Sequence, residues 1–180
     1  MKKSDLHTSS YIILGLVEKL GETTSYDLKI KADGSIGYFW NFSRAILYKE
    51  PSRLIKLGLL KERQETGGRR RRIYTITDAG RIVLRQWVGT PEDSVTEIRD
   101  LGLLKLFFAK NGSQDALDDL IVEQERGHVA RLEAYQSLQS ELSEMDESEF
   151  DLAVLEMGLE FEKVAIAYWK TVASKKLQVG

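Results

Sequence analysis

A mainly α fold carrying one two-stranded β hairpin is what the sequence predicts, on three observations. Residues 41–80, NFSRAILYKEPSRLIKLGLLKERQETGGRRRRIYTITDAG, read as a helix, a glycine stop and a hairpin with a basic tip. Two helical segments with their own start and stop residues precede it, at Thr8–Leu20 and from Thr24 to about Ala32. After Pro91 no strand signal appears, and long stretches of helical periodicity follow. A helix followed by a basic two-stranded wing is the arrangement of a winged helix-turn-helix. The predicted architecture is therefore such a domain over residues 1–90 and an all-helical dimerisation domain over 91–180.

The elements follow in order. In Thr8–Leu20, Tyr11, Ile12, Leu16 and Leu20 cluster at helical spacing and Gly21 supplies the stop. Thr24 and Asp27 form a capping box with Asp in place of the usual Glu, and Lys29 and Lys31 lie on the short helix they open. The segment DGSIGYFWN, Asp33–Asn41, has two glycines and serves as the turn. Aromatics at a turn between helices usually plug a core, so packing is the expected role of Tyr38, Phe39, Trp40 and Phe42. In the next helix Leu47, Pro51, Leu54 and Gly58 fall on one side, and Ala45, Lys49, Ser52 and Lys56 on the other. Gly58 can take the left-handed conformation that closes a helix after Leu57. The runs LLKERQE and RRIYTIT, joined through Gly67 and Gly68, make the hairpin. Arg69, Arg70, Arg71 and Arg72 at its tip repel one another unless an anion lies nearby, and a phosphate backbone is the expected one. Thr77 caps a helix from Asp78 to about Val88. Helices are then expected from Glu92 to about Lys110, from a Ser113 cap to near Glu144, and from a Ser148 cap to about Lys176. On the last, Val154, Gly158, Phe161, Ala165, Tyr168 and Val172 form one stripe. Leu155, Leu159, Ile166, Trp169 and Ala173 form a second if Glu162 is skipped. So wide an apolar face calls for partners on two sides, its own domain and another subunit.

The chain has 180 residues, 42% hydrophobic, enough for one ordinary core or two small ones. It contains no cysteine, which excludes disulfides and thiolate metal sites and fits a cytoplasmic setting. The apolar run near the N-terminus is too short for a membrane span and is interrupted by Glu18 and Lys19, so neither a membrane nor a signal peptide is expected. Net charge is −2, but it is unevenly placed: +8 over residues 1–90 and −10 over 91–180. The basic half suits a polyanion, and the acidic half suits protein or small-ligand contacts. No nucleophile, phosphate loop or metal-ligand spacing is visible, so no catalytic residue, metal or cofactor is assigned.

The runs LYKEPSRLIKLGLL and IYTITDAGR, the Gly-Arg hairpin between them and the opening YIILGLVEKLGETTSYDL resemble the winged-helix domain of PadR-type transcriptional regulators. EIRDLGLLKLFFA and the two long helices, with Trp169 near the end of the second, are similar to the helical C-terminal domain of the subfamily with a long second domain. Two positions depart from the pattern: Ser25 stands where glycine is common, and Pro51 where many members have leucine. Pro51 lacks an N–H, so a kink is expected there, which would leave Ser43–Lys49 as the groove-facing turns.

The resemblance implies a homodimeric repressor of double-stranded DNA with a palindromic or pseudo-palindromic operator. On that reading Lys49 and Ala45 face base edges, and Ser43, Arg44 and Tyr48 flank them. Tyr26, Lys29 and Arg69–Arg72 are placed for the backbone. The family also implies a small aromatic or cationic effector where domains or subunits meet. Trp87, His128, Tyr135 and Trp169 are the candidates, with plain packing the reading their spacing favours. The rival from another class is a winged-helix protein-interaction module that never touches DNA.

Overall fold

The structure is a computed structural model that describes residues 6–65, 70–144 and 149–179. The chain divides into two compact units, Met1–Ser94 and Val95–Gly180. The first holds helices α1 (Thr8–Leu20), α2 (Ser25–Asp33) and α3 (Ile46–Lys56), strands β1 (Leu60–Gln64) and β2 (Arg72–Ile76), and helix α4 (Asp78–Val88). The second holds α5 (Leu101–Phe107), α6 (Gln114–Ser143) and α7 (Glu149–Ser174). This mainly α chain with one antiparallel pair is the winged-helix class the sequence predicts.

Local chemistry sets most of these boundaries. Gly21 (φ 72°) and Gly58 (φ 73°) hold the left-handed conformation just beyond α1 and α3. Thr24 and Asp27 cap α2 reciprocally: the hydroxyl accepts from the Asp27 N–H, and the carboxylate accepts from the Thr24 N–H at 2.9 Å. The Thr77 hydroxyl accepts from the Gly80 N–H at 3.0 Å to start α4. It also donates to the carbonyl of Gly58, which ties α4 to the end of α3. Strands β1 and β2 pair in the register Leu60 to Ile76 through Gln64 to Arg72. Thr23 extends the ladder by one bridge, exchanging both backbone hydrogen bonds with Tyr74.

The core of the first unit gathers Ile13, Leu14, Leu16 and Val17 of α1, Leu28 and Ala32 of α2, Leu47 and Leu54 of α3, and Tyr74 and Ile76 of β2. Of the four α1 residues expected to face inward, Leu16 is buried, while Tyr11, Ile12 and Leu20 are half-buried at its margin. The α1 face is rotated toward Ile13 and Val17 because α1 packs against α2, α3, α4 and β2 together. Pro51 is fully buried, and α3 runs through it without interruption to Lys56. The aromatic turn departs from expectation. Phe42 packs on the core, but Tyr38, Phe39 and Trp40 are exposed. A short 3₁₀ turn at Ile36–Tyr38 carries them outward.

In the second unit the helix expected from Glu92 begins at Leu101. Residues 91–100 have no regular structure, with Val95 and Ile98 exposed. That stretch buries no apolar residue, so it gains little from helix formation, and Asp100 starts α5 by accepting from the Leu103 N–H at 3.0 Å. Ser113 caps α6 as expected, accepting from the Ala116 N–H at 3.2 Å. Ser148 and Arg69 lie outside the described residues, as do Gly67 and Gly68.

Helices α6 and α7 pack through two apolar clusters: Leu117, Ile121, Trp169 and Val172, and Tyr135, Leu155 and Leu159. Glu162 is not skipped. It lies in the same seam, 1% exposed, where His128 Nδ1 is 2.5 Å from one carboxylate oxygen and Arg131 is 3.6 Å from the other. Val154, Phe161 and Tyr168 form an exposed second stripe on α7.

Candidate nucleic-acid interface

Helix α3 is the centre of the candidate site. Its buried side is Leu47, Pro51 and Leu54, and its first turn presents Tyr48 and Lys49 to solvent. Ser43, Arg44 and Ala45 are not in the helix, which starts at Ile46. They form the lead-in turn, with the Ile46 N–H donating to the Ser43 carbonyl at 3.0 Å and the Lys49 N–H to the Ala45 carbonyl at 3.1 Å. Ala45, the residue before α3, has no side-chain oxygen to cap it, and the lead-in turn is held by these backbone bonds together with the Ser43 hydroxyl, which accepts from the Ala45 N–H at 3.4 Å. Ser43 and Ala45 are exposed.

Asp33 at the end of α2 draws two of the candidate cations together. Its carboxylate is 2.9 Å from Lys29 Nζ and 2.6 Å from an Arg44 nitrogen. The Arg44 guanidinium also lies 4.8 Å from the centre of the Phe42 ring. A Cβ on Gly37 would come within 3.0 Å of that guanidinium, so the glycine makes its seat. The Lys29 ammonium is held above its ordinary range chiefly by the hydrogen bond and charge of Asp33, with smaller contributions from Tyr48 and Tyr26. Tyr26, Lys29, Arg44 and Tyr48 thus share one electrostatic neighbourhood flanking α3. Spacing alone signals the Lys29–Asp33 pair, since the two are four residues apart on a helix.

On the wing, the anions expected to offset the arginines are in part internal. Arg72 makes a two-pronged contact with Glu62, at 2.7 and 2.5 Å, and reaches the Ser52 hydroxyl at 3.4 Å. Arg71 pairs with Glu65 at 3.1 Å. The hydrogen bond from Arg72 holds the Glu62 carboxyl below its usual range and the guanidinium above its own. Arg70 is exposed with φ 46°. Glu62 lies in β1 and Glu65 directly after it, and the antiparallel pairing with RRIYT is the signal that finds them.

The later half of α3 turns inward. Arg53 donates to both Glu50 oxygens and, at 2.7 Å, to the hydroxyl of Ser10, which itself donates to Glu50 at 2.7 Å. Ser10 is fully buried. Burial pushes the Glu50 carboxyl up, but the hydrogen bonds from Arg53 and Ser10 outweigh it and hold the group below its ordinary range. No pattern in the sequence links Ser10 to a residue forty positions on.

The four effector candidates divide between the two units. In the first unit Trp87 stacks on Tyr11, with centroids 4.7 Å apart and planes within 7°. In the second, His128 meets Glu162, Tyr135 lies in one apolar cluster and Trp169 in the other. An open cavity of about 390 Å³ between the start of α6 and the end of α7, lined by Asp118, Ile121, Val172 and Lys176 among others, includes none of them. Among the described residues no acidic or histidine cluster is placed to hold a metal ion, and no helix is long and apolar enough to cross a membrane.

Residues 13–86 match the model of the Transcriptional regulator PadR-like family, and residues 98–175 match that of the Virulence activator alpha C-terminal region. The chain is 28% identical over 171 residues to the Negative transcriptional regulator PadR of Bacillus subtilis, covering 90% of this chain and 93% of that one. It superposes on the crystal structure of Bacillus subtilis PadR in complex with operator DNA with a TM-score of 0.83, at 26% identity, over 94% of this chain and 99% of that one. The same regulator in complex with p-coumaric acid gives 0.78 at 25% identity, over 94% and 98% of the two chains. The fold is also that of a PadR-like transcriptional regulator from Bacillus cereus, with a TM-score of 0.81 at 18% identity over 93% and 96%.

Proposed function

Because the chain belongs to the PadR-like family of transcriptional regulators, we propose that it represses transcription as a homodimer on a palindromic or pseudo-palindromic operator. Its winged-helix domain, residues 1–90, binds duplex DNA, and its helical domain, residues 91–180, dimerises. One observation carries the reading. The α3 surface away from Leu47, Pro51 and Leu54 presents Lys49 with Tyr48 beside it, Lys29 and Arg44 are gathered by Asp33 at the end of α2, and Arg72 of the wing reaches Ser52 of α3. Ser43, Ala45, Tyr48 and Lys49 enter the major groove at the start of α3, where the Lys49 amine donates to guanine acceptors. Tyr26, Lys29 and the wing arginines Arg69–Arg72 contact phosphates. The exposed α7 stripe of Val154, Phe161 and Tyr168 supplies the dimer face. A small aromatic compound releases the complex, a reading supported by the p-coumaric acid complex of the similar Bacillus subtilis protein.

Selection of bound sequences from random duplex DNA, followed by fluorescence anisotropy over a salt series, tests this. A duplex should emerge whose affinity falls steeply with salt. A winged helix that serves only protein partners would show no such binding. Lys49→Ala should weaken the selected duplex by about 1–3 kcal/mol and unrelated DNA much less, and an equal loss on both would leave Lys49 a phosphate contact. In sedimentation the full chain should be a dimer, and Phe161→Glu with Tyr168→Glu should make it a monomer.

A further inference from the structure

The rings of Phe39 and Trp40 are left exposed on a turn whose backbone bonds to itself. The Tyr38 N–H donates to the Ser35 carbonyl at 3.2 Å, and the Phe39 and Trp40 N–H groups both donate to the Ile36 carbonyl, at 3.2 and 2.8 Å. Gly37 closes the turn: a Cβ there would lie 2.8 Å from the Ala32 carbonyl oxygen. Backbone bonds and a glycine thus fix the shape, and the core beneath is filled by Ile36 and Phe42. The Phe39 side is 61% exposed and Trp40 46%. Exposed neighbouring aromatics on a built turn point to a surface that is covered by something else.

Two observations select the occupant. The first is position: Trp40 lies three residues before Ser43 and six before the start of α3, so the run leads directly in the chain into the proposed groove-entering segment. The second is charge: the Arg44 guanidinium sits against Gly37 of this same turn, and Lys29 shares its Asp33 partner. Rings beside guanidinium and ammonium groups match a polyanion with apolar sugar and methyl edges better than an apolar protein groove or a second acidic half of this chain.

We propose that Phe39 and Trp40 are a further part of the DNA interface, packing on deoxyribose and thymine-methyl edges of the duplex beside α3 while Lys29 and Arg44 face the neighbouring phosphates. The inference rests on the DNA-binding reading above and extends it to residues whose contact is apolar. It differs from a phosphate contact in one measurable respect, because an apolar contact releases no counterions.

The test uses the full chain and the duplex enriched from random DNA. Trp40 is one of three tryptophans, with Trp169 buried and Trp87 stacked on Tyr11, so the Trp40→Phe variant isolates its emission by difference. Adding the duplex should shield the Trp40 component from acrylamide. Phe39→Ala with Trp40→Ala should weaken the duplex about tenfold, the size of losing one good base-pair contact, with the slope of affinity against salt unchanged. Circular dichroism establishes that the double variant is folded, and the Trp40→Phe variant, which keeps a ring, should retain most of the affinity. If the wild type binds the duplex while Trp40 stays as open to acrylamide as in the free protein, this inference fails and the DNA-binding reading stands. If the double variant binds as tightly as the wild type, it fails likewise. If the wild type binds no duplex, the DNA-binding reading itself falls.

Discussion

Replacing Glu50 with alanine should be the most damaging single change on α3 outside its apolar face. Glu50 accepts from Arg53 Nε at 3.1 Å, from a terminal Arg53 nitrogen at 2.6 Å and from the Ser10 hydroxyl at 2.7 Å. Its removal leaves the Ser10 hydroxyl, fully buried, without its Glu50 acceptor, and takes the Glu50 carboxylate away from Arg53. A hydrogen bond to a charged group contributes about 1.5–3 kcal/mol and an orphaned buried donor costs about 1–3. Arg53 is 35% exposed, so water recovers part of the loss, and a net destabilisation of about 2–3 kcal/mol is expected. The tie matters locally because Pro51, the next residue, cannot donate the backbone bond that would join it to the Leu47 carbonyl.

Urea unfolding followed by tryptophan emission, to which Trp40 and Trp87 of the first unit contribute, should show that unit's midpoint lowered by about 1 M, for a slope of about 2 kcal/mol per molar. Ser10→Ala alone should cost about 1 kcal/mol, and the double variant less than the sum. Acid supplies a second readout. The folded carboxyl lies below its ordinary value of 4.5, so its contribution is complete above that value and is lost as pH falls through the folded pKa. The gap between wild type and Glu50→Gln should therefore narrow in acid. A loss under about 0.5 kcal/mol, typical of an ordinary surface site, or strict additivity with Ser10→Ala, would refute the reasoning.

Glu62→Gln should free Arg72 from its two-pronged partner. Duplex affinity should then rise and its salt slope steepen by about 0.9, and an unchanged slope would mean that Arg72 reaches no phosphate. Gly80→Ala places a Cβ 2.3 Å from the Leu59 carbonyl oxygen and 2.7 Å from Ile76, so the first unit should lose about 1–3 kcal/mol in the same urea experiment. Gly158→Ala brings a methyl to 2.9 Å from the buried Tyr135 ring. The thermal midpoint of the second unit should fall, against the gain of about 1 kcal/mol that helix propensity alone would give; a rise would show that the ring gives way freely.

Where a recognisable cap or glycine stop lies within a few positions of its partner, the sequence by itself determined most of the outcomes. Thr24 with Asp27, Thr77 at the start of α4, Ser113 at the start of α6 and Gly58 after α3 are all legible, because capping and left-handed turns are settled by local backbone needs. The hairpin is legible for the same reason, as are the apolar sides of α3 and α7 that imply something to pack against. Among the candidate contacts, the exposed side of α3 follows from the periodicity of its buried side.

Tertiary structure decided what depends on distant chain. Ser10 meets Glu50 across forty residues, Glu62 takes up Arg72 across ten, and Glu162 enters an apolar seam because His128, thirty-four positions away, is opposite it. The aromatic turn shows the same limit in reverse. Its rings look like core residues until Ile36 and Phe42 are seen to fill the space beneath. Residues 92–100 read as helix until their apolar side chains are seen to be exposed. The physical reason is common to these cases: a side chain's burial and its charge partner are properties of the space around it, which periodicity and capping, acting over a few residues, do not specify.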